Sequence, residues 1–255
     1  MEKQKIDSIS FTAGTWPPDP DRLTLLFVHG SGESSVLWDA QVEALATEFN
    51  TVALDLPGHG GSDGPGHDTI AGYTAAVMAF VESAGLHNLV PCGLSIGGAI
   101  AQQMLLDHPD RLQAGILVST GSRLKVMPQI FEAIEKDYGQ FIAMSRLVAA
   151  SEKTPAALLE PLMLATARCA PRVTAGDFRA CDQFDVMARL GEIALPVLII
   201  SAEDDQLTPP KYSDFMEKNI NGAVRCRIRD AGHVVPVEKP EAVSRAIRDF
   251  LNALS

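Results

Sequence analysis

The sequence predicts an α/β protein, with a mostly parallel, twisted sheet and helices on both of its faces. Short runs rich in Val, Ile and Leu recur along the chain, and each is bounded by Gly, Pro or Asp. Segments with helical periodicity separate these runs, and this alternation is typical of a parallel sheet. The runs lack polar alternation, which indicates strands that are buried on both faces.

Six strands and four helices follow from these patterns. The strands are predicted over residues 25–28, 52–54, 89–92, 115–118, 197–200 and 224–228. The helices are predicted over residues 38–48, 70–84, 99–108 and 242–254. The last helix has one apolar face at helical spacing, formed by Val243, Ile247, Phe250 and Leu251.

Residues 121–190 interrupt the alternation and are predicted to be an insertion of helices between two strands. They contain no clear strand, only a helical pattern broken by Pro128, Pro155, Pro161 and Pro171. The insertion holds four of the eight Met and four of the ten Phe residues, which either adapt to an apolar ligand or pack a small core of their own. The arginines that would favour a carboxylated substrate, if they faced the cleft, are Arg123, Arg146, Arg168, Arg172 and Arg179.

The composition fits one large domain, or one domain with an insertion. The chain has 255 residues, of which 46% are hydrophobic, and a formal net charge of −11. Such a surface repels phosphate backbones and anionic lipids, so neither nucleic acid nor membrane is expected as a partner. The first ten residues lack the apolar segment of a signal peptide, and the four scattered cysteines are expected to be reduced and buried. We therefore expect a cytoplasmic protein with a small-molecule substrate, either a monomer or a homodimer.

Residues 93–98, Gly-Leu-Ser-Ile-Gly-Gly, contain the pattern G-x-S-x-G between a predicted strand and a predicted helix. In that context a sharp turn exposes the serine above the edge of the sheet. The positions two before and two after Ser95 need glycine because the backbones nearly touch there. The free N–H groups of the new helix point to the same place. Ser95 is therefore a candidate nucleophile, and the N–H of Ile96 is a candidate oxyanion donor.

A second glycine-rich turn, His-Gly-Ser-Gly at residues 29–32, follows the first predicted strand. A backbone N–H just after Gly30 is suited to bind an oxyanion together with that of Ile96. The alternatives are a plain tight turn and a dinucleotide fingerprint. The fingerprint fits poorly, because Ser35 replaces its third glycine and no acid suited to a ribose follows.

An acidic pair and a histidine follow the last two predicted strands. Asp204 and Asp205 come after the fifth strand, and His233 comes after the sixth. Alone, each is more often a structural loop residue than a catalytic one. Together with Ser95 they place a nucleophile, an acid and a base past the carboxyl ends of three strands, where ligands bind in open α/β sheets. The joint pattern predicts a catalytic triad.

The chain resembles the α/β-hydrolase superfamily along nearly its whole length. The matching stretches are residues 29–32, Asp-Leu-Pro-Gly-His-Gly-Gly-Ser at 55–62, the serine turn at 93–98, the acid loop at 202–209 and Ala-Gly-His at 231–233. The resemblance implies Asp205 as the triad acid and Asp204 as the alternate, because Ala202 takes the Gly position of a Gly-x-x-Asp pattern. It also implies the N–H of Ser31 as an oxyanion donor.

The resemblance further implies how the chain is divided. Residues 1–120 and 191–255 correspond to the catalytic core, and residues 121–190 correspond to a helical cap that would hold the substrate-binding residues. Only about twenty residues precede the first predicted strand. The family's opening hairpin is therefore expected to be shortened to residues 6–11, followed by a proline-rich loop at 17–20.

The implied activity is that of a serine hydrolase that acts by acyl transfer and needs no metal or organic cofactor. Carboxylic esters of small to medium, partly apolar substrates are the expected class. Thioester cleavage, lactone opening and C–C bond hydrolysis by the same triad are alternatives, although Glu33 stands where C–C hydrolases often have Pro. A ligand-binding receptor on the same scaffold is a further interpretation. A serine at the turn argues against the dehalogenase and epoxide hydrolase branches, which place Asp there.

Overall fold

The computed structural model describes residues 2–254 and contains an eight-stranded sheet. Its strands are β1 (Gln4–Ile6), β2 (Ile9–Ala13), β3 (Thr24–Val28), β4 (Asn50–Leu54), β5 (Leu89–Leu94), β6 (Gly115–Val118), β7 (Val197–Ala202) and β8 (Val224–Ile228). They lie in the order β1-β2-β4-β3-β5-β6-β7-β8. The β1–β2 and β2–β4 pairs are antiparallel, and all later pairs are parallel. The predicted fold class is confirmed.

The helices alternate with the strands, as predicted. They are α1 (Asp39–Leu45), α2 (Ile70–Ser83), α3 (Ile96–Asp107), α4 (Pro128–Lys136), α5 (Tyr138–Ala149), α6 (Ala156–Arg168), α7 (Pro171–Gln183), α8 (Pro210–Asn219), α9 (Val235–Glu238) and α10 (Pro240–Asn252). Helix α3 begins three residues before the predicted start, because β5 runs on to Leu94 and Ser95 alone forms the turn. No helix among residues 2–254 is long and apolar enough to cross a membrane.

Successive residues of β3 enter two separate hydrophobic clusters, one on each face of the sheet. Leu26 and Val28 join the cluster that includes residues of α2, α3 and α8, whereas Leu25 and Phe27 join the cluster of α1 and α10. All four side chains are fully buried, and each such burial contributes about 1.5–3 kcal/mol. The face predicted for α10 is also buried, through Val243, Ile247, Phe250 and Leu251.

The opening hairpin is complete, so the expectation of a hairpin limited to residues 6–11 is wrong. Ile6 lies opposite Ile9, and Phe11 lies opposite Leu54 of β4. The short N-terminal segment suffices because β1 has only three residues and the connecting turn contains a left-handed Asp7, with φ of 52°. Residues 17–20 lie in the loop that follows, as expected.

The prolines of residues 121–190 mark helix boundaries more often than breaks. Pro128 and Pro171 occupy the first positions of α4 and α7, where an N–H would have no helical partner. Pro155 immediately precedes α6. Pro161 differs from the expectation, because it lies inside α6 without ending it.

The inserted helices have a small core of their own. Ile134, Phe141 and Ala175 are buried together, and Phe178 packs against them. The large apolar residues of the insertion that remain exposed include Met127, Met144 and Met187. Of the two interpretations of these Met and Phe residues, the structure favours packing for the phenylalanines.

Candidate active site

Ser95 stands at the turn between β5 and α3 with a positive φ of 58° and a ψ of −117°. A residue with a side chain rarely adopts this conformation, and such strain is concentrated at functional sites. A Cβ added to Gly93 would lie 2.0 Å from the carbonyl oxygen of Gly97, and one added to Gly97 would lie 2.3 Å from that of Val28. The turn therefore requires glycine at both positions, which explains the spacing of the motif.

The backbone of Ser95 is held from the neighbouring strand. Its N–H donates to the carbonyl oxygen of Val118 at 3.1 Å, and its own carbonyl oxygen accepts from the Thr120 hydroxyl at 2.7 Å. Ser95 itself is only half-buried. The nucleophile candidate thus has a fixed backbone and a side chain that remains accessible.

Asp205 and His233 form a buried hydrogen-bonded pair. His233 Nδ1 lies 3.0 Å from Asp205 Oδ2 and 3.1 Å from Oδ1. Asp205 also accepts the N–H groups of Leu207 and Thr208, at 2.9 and 2.8 Å, and the Thr208 hydroxyl at 2.7 Å. Asp204 makes a different contact, because its Oδ2 accepts the Ser151 hydroxyl at 2.7 Å. The geometry therefore favours Asp205 over Asp204 as the partner of the imidazole.

The pair shifts the pKa values of both its members. Burial opposes ionisation of Asp205, but the charge of His233 and the hydrogen bonds from His233 and Thr208 outweigh it and lower the pKa of Asp205 to about 2. Burial alone would lower the pKa of His233, whereas the charge of Asp205 and its hydrogen bond raise it above 6.5. Asp205 is therefore ionised at neutral pH and suited to stabilise a protonated imidazole.

The sheet register brings the three candidate loops to one edge. Leu94 pairs with Val118 and Val118 with Ile200, so β5 ends level with Ile200 of β7, which continues for two more residues to Ala202, with β6 between them. At a strand spacing of about 4.8 Å, β5 and β7 lie roughly 10 Å apart. Within residues 2–254, no hydrogen bond joins the Ser95 hydroxyl to His233 Nε2. Such contacts are often long in the absence of substrate and tighten when it binds.

In the loop of residues 29–32, the Ser31 N–H differs from the N–H groups on either side of it. Gly30 N–H donates to Glu33 Oε2 at 2.8 Å, and Gly32 N–H donates to Asp177 Oδ2 at 2.8 Å. In the described chain, the N–H groups of Ser31 and Ile96 have no hydrogen-bond partner. An N–H at the start of a helix, such as that of Ile96, has no intrahelical partner, and a developing oxyanion would accept from it together with the Ser31 N–H.

A buried polar cluster beneath the loop of residues 29–32 was not predicted from the sequence. His59 Nε2 lies 2.9 Å from Asp177 Oδ2, and its Nδ1 lies 3.1 Å from the Pro57 carbonyl oxygen. Because both ring nitrogens face acceptors, His59 is protonated. Burial opposes that charge, but Asp177 raises the pKa of His59 well above its ordinary value. Asp177 lies in α7 within no recognisable motif, so the sequence carried no signal for this ion pair.

His29 belongs to the same region but is neutral. Its Nδ1–H donates to the Gly30 carbonyl oxygen at 2.8 Å, and its Nε2 accepts the Leu56 N–H at 3.0 Å. Burial, together with the charge of His59, lowers the pKa of His29 to about 4. His29 therefore links the ends of β3 and β4 without contributing a charge.

Two further carboxyl groups near the candidate triad were also missed. Glu238 is buried and accepts the N–H groups of Gly232, at 2.9 Å, and Ser151, at 2.8 Å, so it joins the His233 loop to the inserted helices. Glu33 is half-buried, and burial raises its pKa to about 7, although the Gly30 N–H and the nearby His233 lower it. No residue pattern distinguishes these two acids from ordinary surface acids.

The basic residues considered for a carboxylated substrate lie on the surface. All five of them are exposed: Arg123, Arg146, Arg168, Arg172 and Arg179. Arg123 and Lys125 border a surface cleft of about 380 Å³ beside Tyr212 and Phe215. Their charges are paired with Asp185 and Asp182, at 3.6 and 3.5 Å, and none of the candidate triad residues lines this cleft. The structure thus provides no support for an arginine subsite above Ser95.

The fold and the serine turn define the class of protein. Residues 25–246 match the alpha/beta hydrolase family, and the chain belongs to that family. The predicted resemblance and the assignment to the hydrolases are confirmed.

Comparisons with individual proteins agree with this assignment. A pimeloyl-[acyl-carrier protein] methyl ester esterase of Nitrosomonas europaea is 25% identical over 233 residues, covering 85% of this chain and 91% of that protein. An esterase of Thermogutta terrifontis superposes with a TM-score of 0.87 and 26% identity, covering 100% of this chain and 99% of the other. An enol-lactonase of Burkholderia xenovorans superposes with a TM-score of 0.86 and 22% identity, covering 98% of this chain and 100% of the other. At this identity the match shows a similar fold.

Proposed function

We propose that this protein hydrolyses carboxylic esters, with Ser95 as the nucleophile, His233 as the general base and Asp205 as the group that orients the imidazole. The observation that carries the proposal is the strained turn at Ser95, which shares one edge of the sheet with the buried Asp205–His233 pair. The similarity to esterases of the same fold supports ester bonds as the substrate class.

The mechanism follows from the proton positions at the site. Asp205 accepts a hydrogen bond from His233 Nδ1, which leaves Nε2 without a proton and able to take one from the Ser95 hydroxyl. Ser95 Oγ then attacks the carbonyl carbon, and the oxyanion is bound by the N–H groups of Ser31 and Ile96. Each such donor lowers the barrier by about 2.7–4 kcal/mol. His233 next protonates the leaving alcohol, and water releases the acyl group by the reverse sequence.

Residues 121–190 are proposed to form a cap over the core of residues 1–120 and 191–255, of which residues 1 and 255 lie outside the described part. This segment contacts the loops that carry the candidate site residues through Asp177 of α7, which accepts the Gly32 N–H, and through Ser151 between α5 and α6, whose hydroxyl donates to Asp204. Substrate would therefore be enclosed by these helices and the loops that carry the triad. The four cysteines are not joined by disulfides, and the cytoplasmic location stays a prediction.

The proposal is tested with p-nitrophenyl esters of increasing acyl length, using the wild-type protein and Ser95→Ala. We expect hydrolysis by the wild type and a loss of at least about 10³-fold in the variant, because no other hydroxyl occupies the turn. Matched lactone, thioester and β-diketone substrates, assayed in parallel, distinguish the alternative bond types. Equal ester hydrolysis by the two proteins would contradict the role of Ser95. Stoichiometric binding without turnover by the wild type would favour the receptor interpretation.

A further inference from the structure

Asp177 connects an inserted helix directly to the loop that carries a candidate oxyanion donor. It lies in α7, is fully buried, and its Oδ2 accepts the Gly32 N–H at 2.8 Å. We infer that Asp177 is a positioning residue, which sets the orientation of the Ser31 N–H without touching the substrate. This inference rests on the proposed ester hydrolysis at Ser95.

The peptide groups on both sides of Ser31 are fixed by separate partners. The carbonyl oxygen of Gly30, which belongs to the same peptide unit as the Ser31 N–H, accepts His29 Nδ1–H at 2.8 Å and Glu33 N–H at 3.2 Å. A trans peptide is planar, and its C=O and N–H bonds point in opposite directions. Fixing the Gly30 carbonyl oxygen therefore also fixes the direction of the Ser31 N–H. On the other side of Ser31, the Gly32 N–H is fixed by Asp177. Loss of the Asp177 contact would free the second peptide and so remove one of the two restraints that hold Ser31 in place.

Helix α7 also supports the loop sterically. Gly32 has φ of +70°, and a Cβ added there would lie 3.1 Å from the Thr174 hydroxyl oxygen, one turn before Asp177. The Ser31 hydroxyl lies 3.9 Å from the sulfur of Cys181, one turn after Asp177. The loop is thus packed along one face of the helix, and Asp177 supplies its hydrogen bond to the backbone.

The Asp177 carboxylate is in turn held by the core rather than by other inserted helices. Its Oδ1 accepts the hydroxyl of Tyr73 from α2 at 2.5 Å, and its Oδ2 pairs with the protonated His59 at 2.9 Å. Three donors from three different segments therefore converge on one buried carboxylate. A carboxylate that is satisfied in this way is well suited to hold a catalytic loop in place.

The inference is tested with Asp177→Asn in full-length protein whose Ser95-dependent ester hydrolysis has been established. Gly32 N–H and His59 Nε2–H both donate to Oδ2. A carboxamide can place its one oxygen there, but it removes the negative charge that strengthens both hydrogen bonds and pairs with His59. We expect kcat to fall about 10- to 100-fold, as for a misplaced catalytic donor, with KM within about threefold of the wild type. The inhibition constant of a trifluoromethyl ketone, whose adduct places an oxyanion in the site, should rise by the same factor as kcat falls.

Two controls separate positioning from general destabilisation. Asp182→Asn removes a half-buried carboxylate from the same helix, where it accepts the Val126 N–H, and should leave kcat and the inhibition constant unchanged. Tyr73→Phe removes one of the three donors to Asp177 but keeps the Gly32 and His59 contacts, so it should lower Tm and should lower kcat by less than Asp177→Asn does. Both KM and the inhibition constant are independent of the fraction of folded enzyme, so partial unfolding does not imitate the expected result.

The possible outcomes are distinct. If Asp177→Asn does not accumulate as folded protein, the same measurements are made on Asp177→Glu. This variant keeps the charge opposite His59 but displaces the oxygen that accepts the Gly32 N–H. The inference would be overturned if the folded variant had the same ratio of inhibition constant to KM as the wild type. It would also be overturned if Tyr73→Phe lost as much kcat as Asp177→Asn. Absence of Ser95-dependent hydrolysis in the wild type would instead refute the proposed function.

Discussion

Replacing Asp205 by asparagine tests the proposed triad through the tautomer of His233. Asp205 Oδ1 accepts two backbone N–H groups, from Leu207 and Thr208, whereas Oδ2 accepts only the Thr208 hydroxyl besides His233 Nδ1, which lies 3.1 Å from Oδ1 and 3.0 Å from Oδ2. The carboxamide oxygen of Asp205→Asn therefore takes the Oδ1 position, and its NH₂ group faces His233. The imidazole must then accept at Nδ1 and carry its proton on Nε2. The ring keeps its place but is unable to take the proton from Ser95.

The expected loss of kcat is large because the wrong tautomer blocks the first step. A loss of about 10⁴-fold is expected for this substitution in a triad, which corresponds to about 5.4 kcal/mol of activation free energy. Stability should also fall. The pKa of Asp205 is lowered from 3.8 to about 2, so its contribution of about 2 kcal/mol is present above pH 3.8 and is lost only as the pH falls through 2. At neutral pH the variant therefore lacks a contribution that the wild type retains in full.

The assay is steady-state hydrolysis of a p-nitrophenyl ester at pH 8, with the folded state of each variant checked by thermal unfolding. Asp204→Asn is the matched control, because it makes the same change one residue away in a carboxylate that contacts Ser151. It should keep kcat within about threefold of the wild type, as for a surface substitution outside the site. Asp205→Asn with near-wild-type kcat, or an equal loss in Asp204→Asn, would refute the assignment of the triad acid.

Two further predictions concern the serine turn and the pH profile. Gly93→Ala should cost more than about 3 kcal/mol and lower Tm by about 6–12 °C or prevent folding, because its Cβ would lie 2.0 Å from the Gly97 carbonyl oxygen. Gly191→Ala is the control, because no atom lies within 4 Å of the new Cβ, and it should change the free energy of unfolding by less than about 0.5 kcal/mol. Equal Tm values for Gly93→Ala and Gly191→Ala would contradict the steric argument. Wild-type kcat/KM should fall at low pH as His233 becomes protonated, with a midpoint above pH 6.5. Glu33→Gln should move this midpoint to lower pH, because the Glu33 charge helps to raise the pKa of His233. A shift to higher pH would show that Glu33 does not act on His233 through its charge.

The alternation of strands and helices could be predicted because it depends on local patterns. Runs such as 115–118 and 224–228 are bounded by turn residues, and the structure reproduces their limits as β6 and β8. The limits of β5 were less predictable, since Gly93 extends the strand by pairing with β3 and β6, and Leu94 by pairing with β6. The complete hairpin of β1 and β2 likewise depends on pairing with β4, which local sequence does not encode.

The candidate triad was predictable for a different reason. Each of its residues follows a strand in a recognisable turn, so sequence position already placed Ser95, Asp205 and His233 at one edge of a parallel sheet. The choice of Asp205 over Asp204 came from a family pattern, and the contact with His233 Nδ1 agrees with it. Neither the pKa values nor the tautomer followed from sequence, because both depend on burial and on neighbours far apart in the chain.

The sequence by itself determined the fold class, the serine turn and the order of the candidate catalytic residues, since each depends on residues within one short segment. Only the tertiary structure showed that Asp177, 145 residues after Gly32, accepts its N–H and pairs with His59. A carboxylate in a helix has the same local pattern whether it faces solvent or a buried backbone donor. Its role is set by the segments that fold against it, and for Asp177 these come from α2, the turn at residues 55–62 and the loop at residues 29–32.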